Sequence, residues 1–231
     1  MPIFDPASLD LRRARAERRS PSFLDARIWD DIAERVAILH SRPARALLLG
    51  PMTPAADEFA KRSAIALTTD TGDAPDVGLA LAVRWAETED DLPEKLAALA
   101  MVLPPDTPLL GASLGGDTLR ALRGALLAAD RAGGVALPRS HPRIEPGAFA
   151  ELLQRAGFVT PVVDMEPVDV RYSSLARLVA DLRDLGATNV LAERTRALAG
   201  RDWATRLEEA FPPGTTERFD ILHFSAWTAG R

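Results

Sequence analysis

Residues that could carry chemistry are few and scattered in this chain. His40, His141 and His223 lie far apart and show no His-x-x-x-His or related ligand spacing. Cysteine is absent, which excludes disulfides, thiolate zinc sites and cysteine nucleophiles. Ser113 and Thr118 fall at the end of an apolar run, where parallel sheets bind ligands. Neither has a partnered base, so neither qualifies as a nucleophile. No catalytic residue and no metal ligand set is assigned. Asp70 and Asp73 lie at the turn around Gly72. Trp85 either lines a substrate or partner cleft or fills the core. His141 and Arg143, in the loop "LPRSHPRIEP", are the side chains best suited to contact an acidic substrate, against the alternative of a solvated loop.

Positioning these residues falls to alternating strands and helices. The stretch "RALLLGPMTPAADEFAKR" opens on an apolar strand, Ala46–Leu49, breaks at Gly50 and continues into a helix over 55–63. Nucleotide-binding folds place a glycine-rich loop at such a junction, and here only one glycine is present. Leu24, Ile28, Ile32 and Val36 recur every four residues, so 23–39 reads as a helix. Further strands are expected at 65–68, 77–83, 108–113, 159–170 and 217–227. Helices are expected after Asp91 and after Asp117, each aspartate serving as N-cap, then around Leu152, over 175–185 and around Trp203. Strand–helix alternation implies a mainly parallel sheet covered on both faces, and the last strand, with no helix after it, can enter antiparallel.

Composition sets the outer bounds. At 231 residues with 47% hydrophobic and 26% charged residues, the chain can bury a sizeable core. A net charge of −5 gives no footprint for nucleic acid. No apolar run reaches the roughly 20 residues of a membrane span. Arg12, Arg13, Arg15, Arg18 and Arg19 crowd the N-terminus, but Asp5, Asp10 and Glu17 interrupt them and no apolar signal core follows. Residues 1–40 read as an N-terminal helical arm and 41–231 as the α/β domain, with a cytoplasmic location.

Three stretches carry a family resemblance: "LALAVRWAETEDDLP" (79–93), "PLLGASLGGDTLRALR" (108–123) and "DLRDLGATNVL" (181–191). Together they resemble class I S-adenosylmethionine (SAM)-dependent methyltransferases. Within these they are similar to the group holding the malonyl-ACP O-methyltransferase of biotin synthesis and the respiratory complex I assembly factors. The start, "IFDPASLDLRRARA", looks like the assembly-factor branch. The resemblance implies an α/β, Rossmann-like fold with a seven-stranded sheet whose last strand is antiparallel. It also implies a cofactor loop of the form Asp-x-Gly-x-Gly-x-Gly. Here Leu48 stands in place of the aspartate, Gly50 is the only glycine, and Pro51 has no N–H to give. A ribose-binding carboxylate would be Asp70. The 26 residues between Gly50 and Val77 leave little room for a second helix and a third strand, so the cofactor half reads as truncated.

The expectation that follows is a methyltransferase-like protein with a degenerate motif and lost or weakened SAM binding. Its role would be partner binding or complex assembly, with a respiratory-complex subunit or an acyl carrier as partner. The alternative is an active SAM-dependent methyltransferase acting on a small carboxylate or acyl-carrier substrate, so enzymatic activity stays open. Arginine hydroxylation, linked to one assembly-factor type, finds no metal-ligand spacing here.

Overall fold

A computed structural model describes residues 2–19, 22–135, 137–196 and 200–230. They divide into two compact units. One comprises Pro21–Gly116, Ile144–Glu166 and Ile221–Arg231; the other comprises Met1–Ser20, Asp117–Arg143 and Pro167–Asp220.

The first unit carries the sheet. Its strands are β1 (Arg45–Leu49), β2 (Ala66–Thr68), β3 (Ala80–Val83) and β4 (Pro108–Gly115), with the greater part of β5 (Phe158–Tyr172) and β6 (Thr215–Thr228). The order is β2-β1-β3-β4-β6-β5. β1 pairs in parallel with both β2 and β3, and β3 with β4; Leu47, for example, stands opposite Thr68 on one side and Ala80 on the other. The β4-β6-β5 side is antiparallel. Six strands stand where the family resemblance implies seven. Only a 3-10 turn, Thr71–Asp76, connects β2 to β3 across the short segment.

Hydrophobic pattern accounts for these elements. β3 is buried at all four positions and β4 at seven of eight, as expected for parallel strands covered on both faces. Against the sheet unit's core pack α2 (Phe23–Ala37), α3 (Pro54–Ser63), α4 (Leu92–Val102) and α6 (Pro146–Arg155). Phe149 of α6 meets Phe224 of β6 edge-on at 4.8 Å between ring centroids. His223 of β6 also approaches α2: its Nδ1 lies 2.9 Å from Asp31 Oδ2, and its Nε2 lies 2.9 Å from Glu166 Oε2 of β5. Arg35 pairs with Asp31, and Arg27 with Glu166. α4 begins after Asp91 as the sequence predicts, yet the Asp91 side chain makes no capping bond.

The second unit is helical. It holds α1 (Pro6–Ala16), α5 (Arg120–Ala132), α7 (Leu175–Asp184) and α8 (Arg201–Ala210), with α5 packed on α8 and α1 on α7. Asp5 caps α1 by accepting from the Ser8 N–H, and Pro6 occupies the first turn. Asp117 is not the cap of α5. Leu119, in the left-handed region at φ 61°, precedes that helix, and the Glu217 carboxylate accepts from the N–H groups of Ala121 (3.0 Å) and Leu122 (2.7 Å). A side chain from a distant strand therefore satisfies donors that the sequence assigns to a local cap. Asp130 of α5, fully buried, accepts from both Arg139 and the Trp203 indole, and Arg139 stacks on the Trp203 ring at 4.3 Å.

Candidate functional site

Open parallel sheets bind ligands outside the carboxyl ends of their strands. At the end of β1, Gly50 has φ 124°, and a Cβ built there would lie 2.0 Å from the Val83 carbonyl oxygen of the neighbouring strand. Close strand packing thus requires this glycine, independently of any ligand. The chain then passes through buried Pro51 to Thr53, whose hydroxyl caps α3 by accepting from the Ala56 N–H at 3.3 Å. The Asp57 N–H bonds to the Thr53 carbonyl. Pro51 and Pro54 have no N–H at all. Two of the backbone donors a cofactor loop would use are thus missing, and those of Ala56 and Asp57 are engaged within the start of α3.

The end of β3 is filled by charge. Arg84, also left-handed at φ 53°, buries its guanidinium between Asp25 of α2 (3.4 Å) and Glu87 of the following turn (3.1 Å). All three side chains are at most 8% exposed. Burial pushes the Asp25 carboxyl above its ordinary value, more than Arg84 draws it down. Against its own burial, Glu87 and then Asp25 hold the Arg84 guanidinium above its ordinary value. Arg84 and Glu87 stand three residues apart within the family-like stretch 79–93, but the sequence gives no sign that Asp25, 59 residues from Arg84, completes the group.

Asp70 lies exposed after β2, with Oδ1 accepting from the Gly72 N–H at 2.9 Å, the geometry of an Asx turn. Asp73 accepts from Arg45 and from the Thr68 hydroxyl. Trp85 belongs to the core, among Leu47, Ala74, Val77 and Leu96. Gly50, Asp70 and Trp85 therefore fall in the sheet unit, and His141 and Arg143 in the helical unit.

In the helical unit, His141 is buried, its Nε2 accepts from the Val190 N–H at 3.0 Å, and Phe4 meets its ring edge-on. That bond leaves Nδ1 as the protonated nitrogen of the neutral ring. Arg143 and His141 line a cavity of about 120 Å³ with Leu119, Leu126, Val179 and Asn189. Asn189 itself bonds the Pro138 carbonyl and the Leu191 N–H. The family-like segments around 117 and 189 thus converge on one small cavity lined by apolar side chains together with Arg123, Arg139 and Arg143. Ser113 is buried, and its hydroxyl has no hydrogen-bond partner, histidine or carboxylate included, among the described residues. Among the described residues no cluster of three or more His, Asp or Glu side chains could hold a metal ion. No described helix is long and apolar enough to cross a membrane.

No family model matches the chain. It is 36% identical over 155 residues to a malonyl-[acyl-carrier protein] O-methyltransferase of Laribacter hongkongensis, covering 64% of this chain and 48% of that protein. It is 35% identical over 159 residues to the mitochondrial arginine-hydroxylase NDUFAF5 of Mus musculus, covering 64% of this chain and 44% of that protein. The chain therefore spans about half the length of these curated relatives. Among solved structures it is similar to a candidate methyltransferase of Bacillus halodurans, with a TM-score of 0.51, 11% identity, and coverage of 86% of this chain and 98% of that one.

Proposed function

Starting from the chain's membership of the class I SAM-dependent methyltransferase superfamily, we propose that it is a methyltransferase-fold protein that binds SAM weakly or not at all. Its role in this reading is to bind a protein partner, such as a respiratory-complex subunit or an acyl carrier. The observation that carries the proposal is the buried Asp25–Arg84–Glu87 triad at the end of β3, beside a loop whose only glycine is needed for strand packing. SAM brings a sulfonium, a carboxylate and a ribose to such a site, and these residues do not fit it. The Arg84 charge is already neutralised in place, Asp70 is turned toward its own backbone, and Pro51 and Pro54 offer no donors. A sheet of six strands, with only a 3-10 turn between β2 and β3, supports the same reading.

Titration calorimetry with SAM and with S-adenosylhomocysteine tests this, using an intact methyltransferase of the family as positive control. The expected result is no saturable heat from the folded chain. Co-purification of the tagged chain with a respiratory-complex subunit, but not with acyl carrier protein, or the reverse, then selects the partner class. The competing reading is an active methyltransferase on a small carboxylate or acyl-carrier substrate. It draws on the kinship with the malonyl-[acyl-carrier protein] enzyme and on Arg143 lining the cavity beside His141. Micromolar SAM binding that weakens in Asp70→Ala would select it.

A further inference from the structure

Arg12, in the middle of α1, is half-buried, and its Nε is sealed from solvent with no hydrogen-bond partner. Ser8, Arg12 and Arg15 recur at i, i+4 and i+7 and so share one face of α1. Arg194 reaches the start of that face, where its guanidinium bonds the Ser8 hydroxyl and the Asp5 carboxylate. The end of α7 lies against the same helix: a Cβ on Gly186 would meet the Arg12 carbonyl oxygen at 3.5 Å and the Ala16 Cβ at 3.3 Å. Arg183 occupies the last turn of α7.

Three of the nearby carboxylates are already engaged. Asp5 pairs with Arg194 and Arg196, Asp184 with Arg19, and Asp181 with Arg177. Arg12, Arg15 and Arg183 make no ion pair among the described residues. Burial, followed by the charges of Arg15, Arg194 and Arg183, draws the Arg12 guanidinium below its ordinary value. A half-buried cation with an orphan N–H beside like charges is unfavourable unless an anion joins it. Guanidinium forks match the oxygens of a phosphate, which brings more charge than a carboxylate.

We propose that Arg12, Arg15, Arg183 and Arg194 form a binding site for a phosphate group. The site is separate from the question of SAM binding and does not depend on its answer. Calorimetry and thermal unfolding of the whole chain with inorganic phosphate test it, with acetate and chloride matched for ionic strength. Saturable phosphate binding is expected, with a rise in Tm that acetate does not reproduce. Arg12→Gln and Arg183→Gln should each weaken binding by about tenfold or more, the loss of one charge-assisted contact. Because Arg183 is exposed, its variant keeps the packing of α7 and decides the matter if Arg12→Gln does not fold. The proposal is overturned if wild type gives no saturable binding, if acetate raises Tm equally, or if Arg183→Gln binds phosphate as wild type does.

Discussion

Replacing Arg84 with methionine removes the cation from a triad whose side chains are at most 8% exposed, and leaves Asp25 and Glu87 facing each other without it. Methionine keeps comparable length and apolar bulk, and the left-handed backbone at this position is equally awkward for either residue. The change therefore isolates the charge. Breaking a buried ion pair by removing one partner costs about 3–5 kcal/mol, whereas replacing the whole set with apolar groups is often neutral or stabilising. Arg84→Met is expected to lose stability in that range, and Asp25→Leu/Arg84→Met/Glu87→Leu to stay within about 1 kcal/mol of wild type or exceed it. Urea unfolding followed by tryptophan fluorescence reads this, because Trp29, Trp85 and Trp227, three of the four tryptophans, lie in the sheet unit. The pH dependence supplies a second check. Because the folded pKa of Asp25 stands above its unfolded value, its stability contribution is full below the ordinary Asp pKa and is lost as pH rises through the folded one. Removing Arg84 widens that window, so the Arg84→Met deficit should shrink on acidification. A deficit below about 1 kcal/mol, or a triple variant as unstable as the single one, refutes the reasoning.

Glu217→Gln leaves one acceptor where two N–H groups, those of Ala121 and Leu122, now have one each. A loss of about 1–3 kcal/mol in the helical unit is expected, with faster amide exchange at one of these two residues; unchanged exchange at both would refute the remote cap. For Asp5, bonds from Arg194 and then Ser8 lower its carboxyl to about 2, so the stabilisation it brings is present above the ordinary Asp value and lost as pH falls toward 2. Carboxyl-carbon NMR should find that midpoint and see it move toward 3.8 in Arg194→Gln, and a midpoint already near 3.8 in wild type would count against the pairing.

Periodicity made most of the fold legible. The four-residue spacing of Leu24, Ile28, Ile32 and Val36 is the buried face of α2, and the run Ala46–Leu49 is the body of β1. Proline and glycine marked the ends well: α4 stops before Pro104, and Gly186, at φ 69°, follows α7. The helical character of the first residues was legible, but the Asp5 cap of α1 was not read from the sequence. Non-local contacts stayed hidden. Asp117 has the residue type and spacing of an N-cap, yet Glu217 takes that task from the far end of the chain. Likewise Gly50 reads equally well as a ligand loop or as tight packing until the position of Val83 is known. At Arg84 the Glu87 partner is local, but Asp25 is brought to the pair only by the fold.

The Glu217 cap also sets an order on how the chain becomes structured. Ala121 and the carboxylate that satisfies it are 96 residues apart. At roughly 5–20 residues per second, a ribosome delivers Glu217 about 5–20 s after the start of α5 has been made. Through that interval the first turn of α5 has exposed donors, and Thr118 lacks the Asp220 backbone partners it later bonds. Closing such distant contacts is slow compared with forming a helix. The start of α5 thus stays uncapped until β6 has been made, and nascent chains stalled before residue 217 are the ones expected to need a chaperone.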